Sequence, residues 1–66
     1  MKNNIRVERA KRDITQEELA EKIGVSRQTI IAIESGKFVP STVLSLKMSK
    51  YFKITVHELF ELEKED

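Results

Sequence analysis

Hydrophobic residues recur along this chain in short groups at helical spacing, and each group is bounded by residues that start or stop helices. Leu19, Ala20 and Ile23 share one face of a segment opened by Thr15-x-x-Glu18. That spacing is a capping box: the threonine oxygen accepts from a first-turn amide and the glutamate reaches back. Gly24 follows, suited to the left-handed position after a helix. Ile30 and Ile33 lie on one face of the next segment, capped by Ser26 and ended before Gly36. Val43, Leu44, Leu46, Met48, Tyr51 and Phe52 fill a fourth, which follows Pro40, opens at Ser41 and runs to about Phe52. A second capping box, Thr55-x-x-Glu58, opens a short fifth helix with Val56, Leu59 and Phe60 on one face. A first helix is predicted from about Ile5 to Arg12, with Asn3 or Asn4 as cap. The stretch Glu61 to Lys64 alternates polar and apolar; the reading leans to a short strand over a frayed end. The expected fold class is all-α, with five helices and at most a small β accessory at the terminus.

The chain has 66 residues and reads as one domain over 1–66, with a tail at 61–66. A chain this short buries only about 60% of the surface its unfolded form exposes. Small domains supplement such a core with disulfides, metals or oligomerisation. There is no cysteine and the only histidine is His57, which excludes disulfides, thiolate sites and histidine-rich metal sites and leaves oligomerisation. No metal or other cofactor is expected. No apolar run approaches the roughly 20 residues that span a bilayer, and Lys2, Asn3 and Asn4 open no signal-peptide pattern. A cytoplasmic location is expected, with no membrane partner and no small-molecule ligand.

Net charge is only +1, but it is unevenly spread. Lys2, Arg6, Arg9, Lys11 and Arg12 crowd the start, and Glu61, Glu63, Glu65 and Asp66 crowd the end. Such a chain is either dipolar, with its basic end facing phosphate, or merely has a clustered solvated surface.

The segment from Thr15 to Gly36 carries most of the information. Its two helices are separated by Gly24, Val25 and the Ser26 cap, and so short a turn makes them cross steeply, at about 90–120°. On a wheel of about 100° per residue, Ile33, Glu34 and Ser26 fall within about 60° of Ile30. Gln28, Ile31, Ala32 and Ser35 fall on the far side, flanked by Arg27 and Thr29. The free face offers what a major groove accepts: glutamine can pair bidentately with adenine and arginine with guanine. Ala32 and Ile31 are placed to meet a thymine methyl. The competing reading of Arg27 and Gln28 is ordinary solvated helix residues, and of Ile31 a mild surface hydrophobe. Glu34 falls towards the packed side and needs a partner there, because an unpaired buried charge is costly. Arg9, one turn from Ile5, is the candidate for a structural ion pair; the alternative is that both reach solvent separately.

From about Ile5 to Phe60 these residues resemble the Cro/repressor-type helix-turn-helix domains, also called the xenobiotic-response-element family. The resemblance is carried by Thr15-Gln16-x-x-Leu19-Ala20, Gly24-Val25-Ser26, Ile30, Ile33-Glu34 and Gly36-Lys37, then Pro40-Ser41, Leu46, Phe52 and Leu59-Phe60. It covers most of the chain, with the helix-turn-helix unit at about 15–35. The short form with a tail after the fifth helix is similar to the cytolysin-repressor-like regulators. The resemblance implies a symmetric homodimer, a small β-sheet built from the chain ends, and a pseudo-palindromic double-stranded DNA operator. It implies base reading by Arg27 and Gln28, with Ala32 at a third position where some members carry a polar residue. Gln16 is expected on phosphate, and Ser26, Thr29, Ser35 and Lys37 on the backbone or flanking the readout. Arg9 and Glu34 match the family's internal ion pair.

The fourth helix is apolar over more than the one stripe a monomer needs. Val43, Leu44 and Tyr51, with Leu62 of the tail, are the candidates for a dimer interface; the alternative is a well-filled monomeric core. No enzyme is expected, since there is no phosphate loop and no cysteine nucleophile, and His57 and Glu58 point about 100° apart on a short helix. The reading is therefore a sequence-specific transcriptional regulator, most simply a repressor. The alternative is an antitoxin-like DNA-binding protein that also masks a protein partner.

Overall fold

A computed structural model describes residues 1–66. In chain order the elements are β1 (Lys2–Asn3), α1 (Ile5–Arg12), α2 (Gln16–Ile23), α3 (Arg27–Glu34), α4 (Thr42–Phe52), α5 (Val56–Leu59) and β2 (Phe60–Glu61). The fold is all-α with a two-stranded antiparallel ribbon made by the chain ends, in which Lys2 pairs with Glu61 and Asn3 with Phe60. No helix is long and apolar enough to cross a membrane.

The helix starts follow the local chemistry. Thr15 Oγ1 accepts from the Glu18 amide at 3.0 Å while Glu18 Oε1 accepts from the Thr15 amide at 3.0 Å. Thr55 and Glu58 repeat the arrangement at α5. Ser26 and Ser41 cap α3 and α4. Gly24 ends α2 at φ 77°, and a Cβ there would meet nothing within 4 Å. Glycine is therefore favoured by its backbone angle and not by a close neighbour. The cap of α1 is divided between two residues. Asn4 holds the cap position without a side-chain cap bond, while Asn3 Oδ1 accepts from the Ile5 amide at 3.2 Å. Asn4 Nδ2 instead donates to the Glu58 carbonyl at 2.9 Å, which ties the start of α1 to α5.

Ile5, Leu19, Ala20, Ile23, Ile30, Ile33, Leu44, Met48, Phe52, Leu59 and Phe60 form one buried cluster. Every helix contributes to it. Fully burying each large member contributes about 1.5–3 kcal/mol.

Three sequence expectations change in the folded chain. Leu44, counted among the surplus apolar residues, is 8% exposed and belongs to the core. A helix apolar on several sides does not show from pattern alone which side faces inward. The strand expected within Glu61 to Lys64 lies at Phe60–Glu61, where Lys2–Asn3 supplies its partner. The basic start and acidic tail are not opposite poles, because the ribbon brings them together. The Met1 ammonium lies 3.0 Å from Glu63 Oε1 and 3.3 Å from Asp66 Oδ2.

Much of the basic start is occupied internally. Glu8 is buried and accepts from Arg12 at 2.8 Å and from Lys11 at 3.1 Å. These two cations, Arg12 first, hold its carboxyl below the usual range. Arg12 also donates to the Phe52 carbonyl, and its guanidinium carbon sits 4.8 Å from the centroid of the Phe52 ring. That cation–π contact and the carbonyl bond fasten α1 to the end of α4.

Candidate nucleic-acid interface

The two-helix unit is built from α2 and α3 around the Gly24–Val25–Ser26 turn. Leu19, Ala20 and Ile23 of α2 and Ile30 and Ile33 of α3 are buried against each other and the core. This fixes which side of α3 is left over. Arg27, Gln28 and Ile31 are exposed, and Ala32 and Thr29 are half-buried. The residues that can donate to or touch bases thus stand on one outward face, with Arg27 and Gln28 in the first turn.

Arg27 has no ion-pair partner within the chain. It borders an open groove with Thr15, Gln16 and Arg9, and Asp13 and Glu17 lie on the same groove. A guanidinium left unpaired beside helix N-termini is available to an external acceptor, whether guanine or phosphate. The amides at the start of α2 and α3 point the same way chemically, since helix N-termini favour anions.

The residues expected to flank the readout fall into two groups. Ser26 and Thr29 bond each other, hydroxyl to hydroxyl at 3.0 Å, and Ser35 Oγ donates to the Ala32 carbonyl at 3.0 Å. Lys37 is exposed just beyond α3. Gln16 stands apart: its Nε2 donates to Glu34 Oε1 at 3.2 Å. One amide donor of Gln16 is thus engaged inside the fold, and the other remains for a phosphate.

Glu34 anchors the back of the unit. Its side chain is 4% exposed. Arg9 Nε donates to Oε2 at 2.6 Å and Arg9 Nη2 to Oε1 at 3.1 Å, a bidentate fork. Arg9 Nη1 completes the set on the Ile14 carbonyl at 3.1 Å. Three helices therefore meet at one carboxylate: α1 through Arg9, α2 through Gln16, and α3 through Glu34 itself.

Residues 5–59 match the sequence family described as helix-turn-helix. The chain belongs to the helix-turn-helix family. This helix-turn-helix protein is a transcriptional regulator with a DNA-binding domain of the Cro/C1 type. An HTH-type transcriptional regulator of Methanocaldococcus jannaschii is 48% identical to it over 66 residues, the whole of both chains. The transcriptional activator BcrR of Enterococcus faecalis is 42% identical over 55 residues, 83% of this chain and 27% of its own length. The cryptic phage CTXphi transcriptional repressor RstR of Vibrio cholerae is 37% identical over 57 residues, 86% of this chain and 51% of its own.

The apolar residues expected at an interface lie in different places in this helix-turn-helix protein. Val43 is 64% exposed and Leu62 78%, so both are free; Tyr51 packs partly on the core, edge-on to Phe52; Leu44 is inside. Phe38, Val39 and Leu46 are also exposed. The first two sit in the α3–α4 connection, where no helical period singles them out. His57 is exposed, and no three carboxylate or imidazole groups converge to hold a metal ion.

Proposed function

We propose that the protein is a homodimeric repressor that reads a pseudo-palindromic operator through α3. The observation that carries this reading is the outward face of α3, where Arg27 and Gln28 stand exposed in the first turn while the opposite face is locked to α1 and α2. A rigid helix with donors on its free face is what base discrimination in a major groove requires. Arg27 and Gln28 contact base edges, with Ala32 against a thymine methyl. Gln16, Ser26, Thr29, Ser35 and Lys37 engage the backbone or flank the readout, which fixes register without carrying sequence.

Dimerisation is supported by the exposed apolar residues Val43 and Leu46, one turn apart on α4, with Leu62 of the tail and the half-buried Tyr51. A two-fold axis would set the two α3 helices about 34–36 Å apart, one turn of DNA, and make the preferred site symmetric. A dimer seated across such a site excludes other proteins from the same groove, and repression follows where that site overlaps a promoter.

The test is selection of bound duplexes from a random pool, by wild type and by Arg27→Ala/Gln28→Ala. Wild type should enrich a symmetric motif that the double variant, equally folded, does not. Enrichment of the same motif by both would remove α3 from base reading. A folded wild type that enriches nothing would defeat autonomous sequence recognition and direct attention to a protein partner.

A further inference from the structure

The last carbonyls of a helix have no intrahelical donor and must find partners elsewhere. In α3 the Ile31 carbonyl takes the Ser35 amide at 3.0 Å, and the Ala32 carbonyl takes the Lys37 and Phe38 amides at 3.0 and 3.2 Å. The Ile33 carbonyl takes the Gly36 amide at 3.0 Å and also Asn3 Nδ2 at 2.9 Å. The same Asn3 nitrogen approaches the Glu34 carbonyl at 3.5 Å. One amide, from the far end of the sequence, thus addresses two successive carbonyls at the end of α3. Its oxygen is occupied too, on the Ile5 amide at 3.2 Å. Its backbone belongs to β1, opposite Phe60 of β2.

We propose that Asn3 is a positioning residue for DNA reading: it pins the C-terminal end of α3 to the chain-end ribbon and so sets how α3 presents Arg27 and Gln28. This rests on the reading of α3 as the base-contacting helix. The argument is mechanical. The apolar seat of α3 is Ile30 and Ile33, and the tilt of the helix over that seat is set as well by what holds its last residues. A helix of eight residues is about 12 Å long, so a tilt at one end displaces the other by a comparable distance. The Glu34 side chain holds the end to α1 and α2, and Asn3 holds its backbone to β1. Base contacts tolerate displacements of only about 0.5 Å before their geometry is lost.

The variants separate this hold from stability in general. Asn3→Asp keeps an oxygen for the Ile5 amide and removes both donors to α3. Asn3→Ala removes them without adding charge. Asn4→Ala breaks the neighbouring bond to the Glu58 carbonyl and touches nothing on α3. Each full-length protein is measured on the duplex that wild type selects and on a random duplex of equal length, and amide hydrogen exchange is followed from Ser35 to Phe38. Both Asn3 variants should lose operator affinity several-fold, keep their affinity for random DNA, and exchange faster at the end of α3. Asn4→Ala should keep the ratio of operator to random binding, even with a lower melting midpoint. Asn3 variants that keep that ratio, or lose equally on both duplexes, overturn the proposal. Should wild type select no motif, the base-reading proposal itself has failed. Exchange then decides alone: lost protection confined to the end of α3 supports the pin, and unchanged protection overturns it.

Discussion

The two ends of α3 are chemically opposite. At its N-terminal end, Arg27 and Gln28 are exposed and Arg27 has no ion-pair partner. At its C-terminal end, Glu34 is held through its carboxylate by Arg9 and Gln16 and through its backbone by Asn3. The chain as a whole shows the same division between its arginines. Arg9 and Arg12, in the most basic stretch, are spent on Glu34, Glu8, Ile14 and Phe52, while Arg6 and Arg27 are exposed without ion-pair partners. A count of positive charge along the sequence points to α1; the availability of charge reduces the arginines of α1 to Arg6 and leaves Arg27 free on α3. Affinity for an external anion depends on the second quantity, because a cation already paired must break one bond to make another.

The largest effect should come from the tethered end. Glu34→Ala leaves the Arg9 fork without its acceptor and frees Gln16. Removing one partner of a buried pair costs about 3–5 kcal/mol, and the partial exposure of Arg9 places the expected loss near the lower figure. A chain this size has a total stability of only about 3–10 kcal/mol. The variant should therefore unfold at a much lower denaturant midpoint, with its operator binding lost along with the fold. A midpoint equal to wild type would mean that the pair contributes nothing and that the tethered end is tethered only in appearance.

At the free end the sign of the comparison reverses. Arg27→Ala should leave the melting midpoint unchanged within about 0.5 kcal/mol, as surface substitutions do. It should cost about 1–3 kcal/mol on the selected duplex and relax selectivity at one base position. Titration against both matched and random duplexes measures this. Equal losses on the two would convert Arg27 from a base contact into a phosphate contact.

Those two ends were unequally legible in the sequence. The exposed face followed from the wheel, because burial of Ile30 and Ile33 fixes the opposite side of a regular helix. The caps at Thr15, Ser26, Ser41 and Thr55 followed because their partners lie three residues away. The Arg9–Glu34 contact is suggested in sequence because a carboxylate on a packed face demands a cation, and the family resemblance names the same pair. Asn3, by contrast, has the sequence signature of a local helix cap alone; its bonds to Ile33 and Glu34 span about thirty residues and leave no periodic trace. Strands of two residues are likewise too short to alternate, so β1 had no signature. Leu44 is indistinguishable in sequence from the surface residues Val43 and Leu46, because α4 is apolar on several sides and nothing local tells the inner side from the outer. Arg12 looked like surface charge, and only the fold brings the end of α4 beneath it.

A smaller effect is expected at Glu8, the buried carboxylate of α1. Glu8 is held by Arg12 and Lys11, and both keep its proton off below the ordinary value of 4.5. A group whose pKa is depressed on folding adds stability that is fully present above its unfolded value and lost as pH falls through the folded one. Wild type should therefore be more stable than Glu8→Gln near neutrality, with the difference shrinking as the solution is acidified below pH 4.5. Melting midpoints of both proteins across that range decide it. A constant difference would assign the role of Glu8 to its shape and hydrogen bonds, not its charge.

The smallest effect concerns the ribbon to which the tethered end is tied. The Met1 ammonium is raised above its ordinary 8.0, chiefly by its bond to Glu63 and then by Asp66. The sign is opposite to that of Glu8. A pKa raised on folding adds stability that is present below the unfolded value and is lost as pH climbs through the folded one. The groups lie at the surface, where salt screens them and long side chains resist being held, so the gain is slight. Glu63→Gln/Asp66→Asn should reproduce in a neutral solution what alkaline pH does to wild type: a small loss of protection at the β1 and β2 amides, with the core unaffected. Because Asn3 lies two residues from that ammonium, the same variant asks whether the ribbon is a rigid anchor. If exchange at the end of α3 rises together with exchange in the ribbon, the hold on α3 is only as firm as the contact between the chain ends. If the ribbon loosens and α3 does not, Asn3 is fixed by its bonds to Ile5 and Ile33, and the terminal ion pair is decoration on an anchor already set.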